Sequence, residues 1–265
     1  MTVRRFFVDL VGAYADGVRS MIALPLLFAL LVGFEFIQHV AEVRIGFFNS
    51  AAAAHSFSND SSRMTLGWLK MTSVYVGGFF VIRYLVRSRE GKPVASIRPA
   101  AQRYLPYVVY SLCLFALIFY GPLLAPRWND SSIRATVALI QIALEPLLIL
   151  WIVSAATDGR IGGPVQSATA SWPWYIWGLM LFFVGRLPVN ALHQLLNQAA
   201  MGSRGAVLWT LLGADAICVG LIISVVPALY VRIARFIGER RTGKRLTIPA
   251  GISLQEAASD DTVAP

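Results

Sequence analysis

The stretch Ala135–Ala156 reads ATVALIQIALEPLLILWIVSAA. It holds one charged side chain, Glu145, and is long enough to cross a bilayer core, which takes roughly 20 helical residues. A helix apolar on every face is buried all round, in the core of a large protein or in a membrane. Five further stretches share the pattern: Met21–Val40, Leu66–Val86, Leu105–Ala125, Pro173–Val189 and Ala206–Val231. The whole chain is 14% charged with a mean hydropathy of +0.63, against about 25% charged for a soluble domain. The fold class expected is all-α: a polytopic membrane protein with six transmembrane helices.

The second and fifth spans are interrupted by charge. Lys70 and Arg83 lie near the ends of the second, where long side chains can snorkel to the headgroups. Arg186 and Pro188 lie inside the fifth. Pro188 removes a backbone donor and is expected to kink or end that helix. The stretch after it is amphipathic, with Leu192, Leu195, Leu196 and Ala199 opposite Asn190, His193, Gln194, Asn197 and Gln198. It is expected to lie along the outer surface or to cover a polar pocket.

Arginine and lysine fix the expected orientation. With six crossings both termini share a side, and 16 basic residues fall in the segments on that side against five on the other. Basic residues mark the cytoplasmic face. The expected location is therefore a bacterial inner membrane, multi-pass, with both termini cytoplasmic. Anionic headgroups account for the net charge of +9. Membrane lipids are the partners expected, with a second copy or another membrane subunit as the alternative. Nucleic acid is not expected, because no soluble domain exists to present the basic surface.

The connections on the basic side repeat. Gly91-Lys92-Pro93-Val94-Ala95-Ser96 and Gly162-Gly163-Pro164-Val165-Gln166-Ser167 both fit G-x-P-V-x-S. Each leads to a proline, Pro106 or Pro173, and then to an aromatic-rich span. Val3–Arg19 supplies a looser third copy. There Phe7, Leu10, Val11, Tyr14 and Val18 share one helical face, with Arg4, Arg5, Asp9, Asp16 and Arg19 elsewhere. Three hairpins follow, each preceded by a cytoplasmic interfacial amphipathic helix. Asp9 and Asp16 also exclude a cleaved signal peptide, whose central region is apolar. One transmembrane domain is expected over 1–248, with a disordered cytoplasmic tail over 249–265. Asn59-Asp60-Ser61 and Asn129-Asp130-Ser131 are expected to cap helices or form turns.

Four ionisable residues fall at membrane depth: Glu35, Glu145, Arg186 and Asp215, all in the middle to outer half. Charge there needs a partner or a cavity. Arg186 can form an internal salt bridge with Glu145 or Asp215, fastening the fifth helix to the fourth or sixth. Alternatively, the four line a hydrated pocket for a lipid headgroup, an ion or a small solute. A second group is Glu35, His39 and Glu42, spaced i, i+4, i+7 on one helical face, with His193 at a similar height. Two histidines and two carboxylates can hold a divalent ion, and opposed His39 and His193 can ligate a haem. No ligand-rich motif accompanies them, so no cofactor is expected. Trp172, Trp174, Tyr175 and Trp177, with Trp68 and Trp128, fit an interfacial aromatic belt. Cys113 and Cys218 have no CxxC partner and read as small apolar residues.

Catalytic signatures are lacking: GxSxG, Walker, GxGxxG and HExxH do not occur. The expected role is non-enzymatic, with a metal- or haem-binding redox subunit or a ligand-free structural subunit as alternatives. Asp158-Gly159 and Gly163-Pro164-Val165-Gln166-Ser167 stand before the fifth span. In this layout the chain resembles a broad group of six-helix bacterial inner-membrane proteins. It is also similar to the membrane domain joined to some glycerophosphodiester phosphodiesterases. The resemblance implies amphipathic segments before the odd-numbered spans. It carries over no activity, because the phosphodiesterase catalytic domain has no counterpart here.

Overall fold

The computed structural model describes residues 3–90, 94–124 and 130–242. Gly91–Pro93, Trp128, Asn129 and the tail over 249–265 lie outside them. The described residues form nine α-helices and no strand: α1 (Val3–Ala23), α2 (Pro25–Arg44), α3 (Ala51–Ser56), α4 (Ser61–Glu90), α5 (Ile97–Leu124), α6 (Asp130–Ala156), α7 (Pro164–Ser171), α8 (Tyr175–Ala200) and α9 (Gly205–Thr242). Six are long and apolar enough to span a membrane: α2, α4, α5, α6, α9 and the run from α7 through α8. They match the six stretches read from sequence.

The most apolar-packed of them is α9. Of its membrane window 72% is buried inside the protein, against 28–44% for the other five. It is the central post, and α1, α2, α4, α6 and α8 all pack on it. Ile223, Val225, Ala228, Leu229, Ile233 and Ile237 of α9 join Val81, Ile82, Ile149, Ile152, Leu181 and Phe182 in the main core. Lateral helices keep many exposed apolar side chains, such as Leu26, Leu139 and Ile176. A lipid-facing surface requires no polar cover.

Helix starts follow local chemistry. Pro25 and Pro164 stand at the first turns of α2 and α7, where a missing N–H costs nothing. Asp60 caps α4: its Oδ1 accepts from the backbone N–H of Ser62 at 2.9 Å and of Arg63 at 3.3 Å. This bears out the capping role expected there. The Ser62 hydroxyl also donates to Asp60, and holds its carboxyl below the usual aspartate range. Gly46, at φ +81°, makes the sharp exit from α2.

Three local expectations are corrected. First, α1 turns its polar side inward. Asp9, Asp16 and Ser20 are buried, while Phe7, Val11 and Val18 are exposed. The cause is Arg232 on α9, whose Nη2 lies 2.7 Å from Asp16 and whose Nη1 lies 3.4 Å from Asp9. Gly12 sits against this guanidinium, where a Cβ would overlap it. Second, Pro188 does not end its helix: α8 runs unbroken to Ala200. Neighbours supply donors beside the proline, as membrane helices allow. The Tyr14 hydroxyl donates to the Gly185 carbonyl at 2.9 Å, and the Cys218 thiol to the Val189 carbonyl at 3.4 Å. Burial pushes that Tyr14 hydroxyl above its usual pKa range. Third, Arg83 does not snorkel. It is buried and donates to the carbonyls of Ala156 and Ala95 at 2.8 and 2.7 Å.

The repeated loops do different work. Ser167 of the second copy inserts into α6. It donates to the Leu147 carbonyl at 2.6 Å and accepts from the Trp151 N–H at 3.1 Å, bridging one turn of the helix just after Pro146. Ser96 of the first copy is exposed, and α5 starts directly at Ile97. Separate helices thus precede the first and third hairpins, as α1 and α7, while among the described residues none precedes α5 of the second hairpin.

Candidate functional site

Glu35, His39, Glu42, His193 and Asp215 gather at one end of the bundle. It is the end shared by the C-termini of α2 and α8 and the N-termini of α4 and α9. At 1.5 Å per residue, Asp215 lies about 15 Å along α9 from Gly205. Glu145 and Arg186 lie near the middle of α6 and α8. All seven residues singled out from sequence fall into two adjoining groups.

The first group centres on His39, which is 2% exposed. Its Nδ1 is 3.1 Å from Glu42, and its Nε2 is 3.0 Å from Asp215 and 3.5 Å from Glu35. Asp215 is fully buried and is held from a second side. His193 Nδ1 lies 2.7 Å from its Oδ1, and Asn197 donates to its Oδ2 at 3.0 Å. Two cations complete the group: Arg63 reaches Glu42 at 2.9 Å, and Lys70 reaches Glu35 at 2.9 Å. Lys70 therefore turns inward to a carboxylate, where sequence led us to expect snorkelling to the headgroups. The turn Phe47–Asn49 closes over the group, with Phe48 edge-on to His39 and Arg63 over the Phe47 ring.

Asp215 thus lies between His39 and His193 and bonds to both. A haem held by two histidines needs an open slab between the imidazoles, and here a carboxylate fills it. The haem alternative is corrected on that ground.

The second group centres on Glu145, 4% exposed. Tyr107 and Tyr230 both donate to its Oε1, Tyr107 at 3.2 Å. Arg186 Nη1 stands 3.7 Å from Oε2 and lies over the Phe182 ring. Of the two acidic partners expected for Arg186, the fold chooses Glu145; Asp215 is taken by histidines. The pair is loose. Glu145 Oε2 and Arg186 Nε are both buried and hydrogen-bond to nothing in the protein.

Between the two groups lies a cavity of about 290 Å³, at the small end of the roughly 300–1,000 Å³ typical of ligand sites. Glu145, Arg186, Gln141 and Asn190 form its polar wall, with Tyr75, Tyr104, Tyr107 and Tyr230 beside them. Lys70 and His193 belong both to this wall and to the His39 group. Arg186, Lys70 and His193 keep 25%, 20% and 29% of their side-chain surface exposed, so the cavity reaches the protein surface.

Sequence reading missed Lys70, Arg63, Asn197, Gln141 and the tyrosines as members. One signal was available: Tyr104, Tyr107 and Tyr110 recur every third residue along α5, an amphipathic stripe that two of them turn to the cavity.

Comparison with protein-family models, with curated proteins and with solved structures gives no match. The fold itself defines the class: a multi-pass, all-helical integral membrane protein with a buried polar site at one end.

Proposed function

We propose that this protein sits in a bacterial inner membrane with both termini cytoplasmic, and binds a small polar solute or lipid headgroup in the outer half of the bilayer. The bias of 16 basic residues against five supports the orientation. The resemblance to six-helix inner-membrane proteins is part of the same reading, as is a non-enzymatic role. The observation that carries it is the incomplete Glu145–Arg186 pair on the cavity wall. Two buried polar atoms without a hydrogen bond cost about 1–3 kcal/mol each, a cost that a ligand offsets by bonding to them. Guanidinium selects an anionic oxygen group. The carboxylate selects a donor such as a hydroxyl or ammonium. The ligand class is thus an anion-bearing molecule with a donor nearby, either a free solute or a lipid headgroup.

Thermal unfolding of the purified protein tests this. Inorganic phosphate, glycerol phosphate and phosphatidylglycerol bicelles are the probes. A ligand at 100 times its Kd adds about 2.7 kcal/mol, which moves the midpoint by roughly 5–10 °C for a chain of this size. Arg186→Gln is expected to remove the shift. A shift with the free anions assigns a solute, and one with the lipid alone a headgroup. If no probe shifts the wild type, and Glu145→Gln restores the stability that Arg186→Gln loses, the pair is an internal salt bridge and the proposal fails.

A further inference from the structure

The His39 group has a geometry that ion pairing alone does not demand. His39 Nε2, a Glu35 carboxylate oxygen and an Asp215 carboxylate oxygen converge within 4.8 Å of one another, and all three residues are buried. Metal bonds of 2.0–2.2 Å place tetrahedral ligand atoms about 3.4 Å apart. Here His39 Nε2 is 3.5 Å from Glu35 Oε1 and 3.0 Å from Asp215 Oδ2. The donors come from α2 and α9, which pack directly together. No thiolate joins them, so the set suits a divalent first-row ion of intermediate softness.

The surroundings match what a metal-binding histidine needs. His39 Nδ1 faces Glu42 Oε2 at 3.1 Å. With its proton on Nδ1, His39 donates to that carboxylate and presents Nε2 as a lone-pair donor, an arrangement that fixes ring orientation and raises basicity. Glu42 is in turn held by Gln38 at 2.9 Å and Arg63 at 2.9 Å. His193 and Asn197 orient Asp215 in the same way.

A separate observation concerns Glu35. Glu35 is 1% exposed, yet its Oε2 accepts no hydrogen bond. Lys70 donates to Oε1 at 3.2 Å and approaches Oε2 at 2.9 Å without aligning to it.

We propose that Glu35, His39 and Asp215 bind one divalent transition-metal ion, with Zn²⁺ the best fit. Glu42 and His193 position the ligands. Three protein donors leave a fourth position for water or for a group from the adjoining cavity. Lys70, one-fifth exposed, swings away from Glu35 as the ion enters.

Co²⁺ titration of the chelator-treated, full-length protein in detergent tests the site. The expected result is one Co²⁺ per chain, with visible d–d absorption of four-coordinate intensity, no thiolate charge-transfer band, and displacement by Zn²⁺. Glu42→Gln should weaken binding 10–100-fold, the usual effect of losing such a support. His39→Ala should abolish it. Arg186→Gln should leave it intact, which separates this site from the cavity reading above. Absence of saturable Co²⁺ and Zn²⁺ binding by monodisperse wild-type protein overturns the proposal. So does binding that Glu42→Gln does not weaken, or a thiolate band pointing to Cys218. The wild-type and Glu42→Gln results decide even if His39→Ala fails to fold.

Discussion

Removing the guanidinium of Arg232 while keeping its stem, as Arg232→Met, is expected to release α1 from the bundle. Arg232 is 11% exposed at its side chain, and its carboxylate partners Asp9 and Asp16 are 6% and 4% exposed. Stripping one partner from a buried ion pair costs about 3–5 kcal/mol. Asp9 keeps Arg5 at 2.7 Å and Asp16 keeps Arg19 at 3.8 Å, so the lower end, about 3 kcal/mol, applies. That energy acts on α1, whose covalent link to the rest of the chain is at Leu24 and whose main packing is against α9. It corresponds to roughly a hundredfold faster amide exchange. Hydrogen-exchange mass spectrometry on Val3–Ala23 in nanodiscs reads it directly. Adding Asp9→Asn and Asp16→Asn to Arg232→Met removes the stranded charges, and protection should largely return. Exchange unchanged in Arg232→Met, or a triple variant as labile as the single one, would refute the clamp.

Ser167→Ala removes the hydroxyl that bridges Leu147 and Trp151. It should destabilise by about 1–3 kcal/mol, lowering the thermal midpoint by several degrees; an unmoved midpoint would show that the bridge contributes nothing to α6. Asp60→Ala should fray the first turn of α4. The Asp60 carboxyl lies below its ordinary 3.8, so its capping is fully present above that value and is lost as pH falls through the lowered one. Amide exchange at Ser62 and Arg63, corrected for intrinsic rate, should accelerate over that acid range in the wild type and show no such step in Asp60→Ala.

The six spans were legible because lipid demands apolar side chains on every outward face, and hydropathy records that demand residue by residue. Four charges at membrane depth were legible for the same reason: Glu35, Glu145, Arg186 and Asp215 stand out against apolar sequence. Their pairing was not. His39 meets Asp215 across 176 residues, and Arg232 meets Asp16 across 216. Periodicity within one helix carries no information about which helix lies opposite. The same blindness reversed the reading of α1: an amphipathic helix has the same pattern whether its polar side meets water or an arginine. Pro188 misled for a related reason. The groups beside it, Tyr14 and Cys218, belong to other helices, so the sequence shows the break and not the neighbours that tolerate it.

Cysteine accessibility tests the polar cavity and its side of the membrane together. Asn190 lines the cavity, so Asn190→Cys, with Cys113 and Cys218 replaced by alanine, places one thiol there. A charged, membrane-impermeant thiol reagent should modify it in spheroplasts and not in inverted vesicles. Arg186→Gln should leave that labelling in place, since the cavity walls remain. Modification only in inverted vesicles would contradict the orientation. No modification from either side, with the denatured protein fully reactive, would contradict a hydrated cavity in the outer half of the membrane.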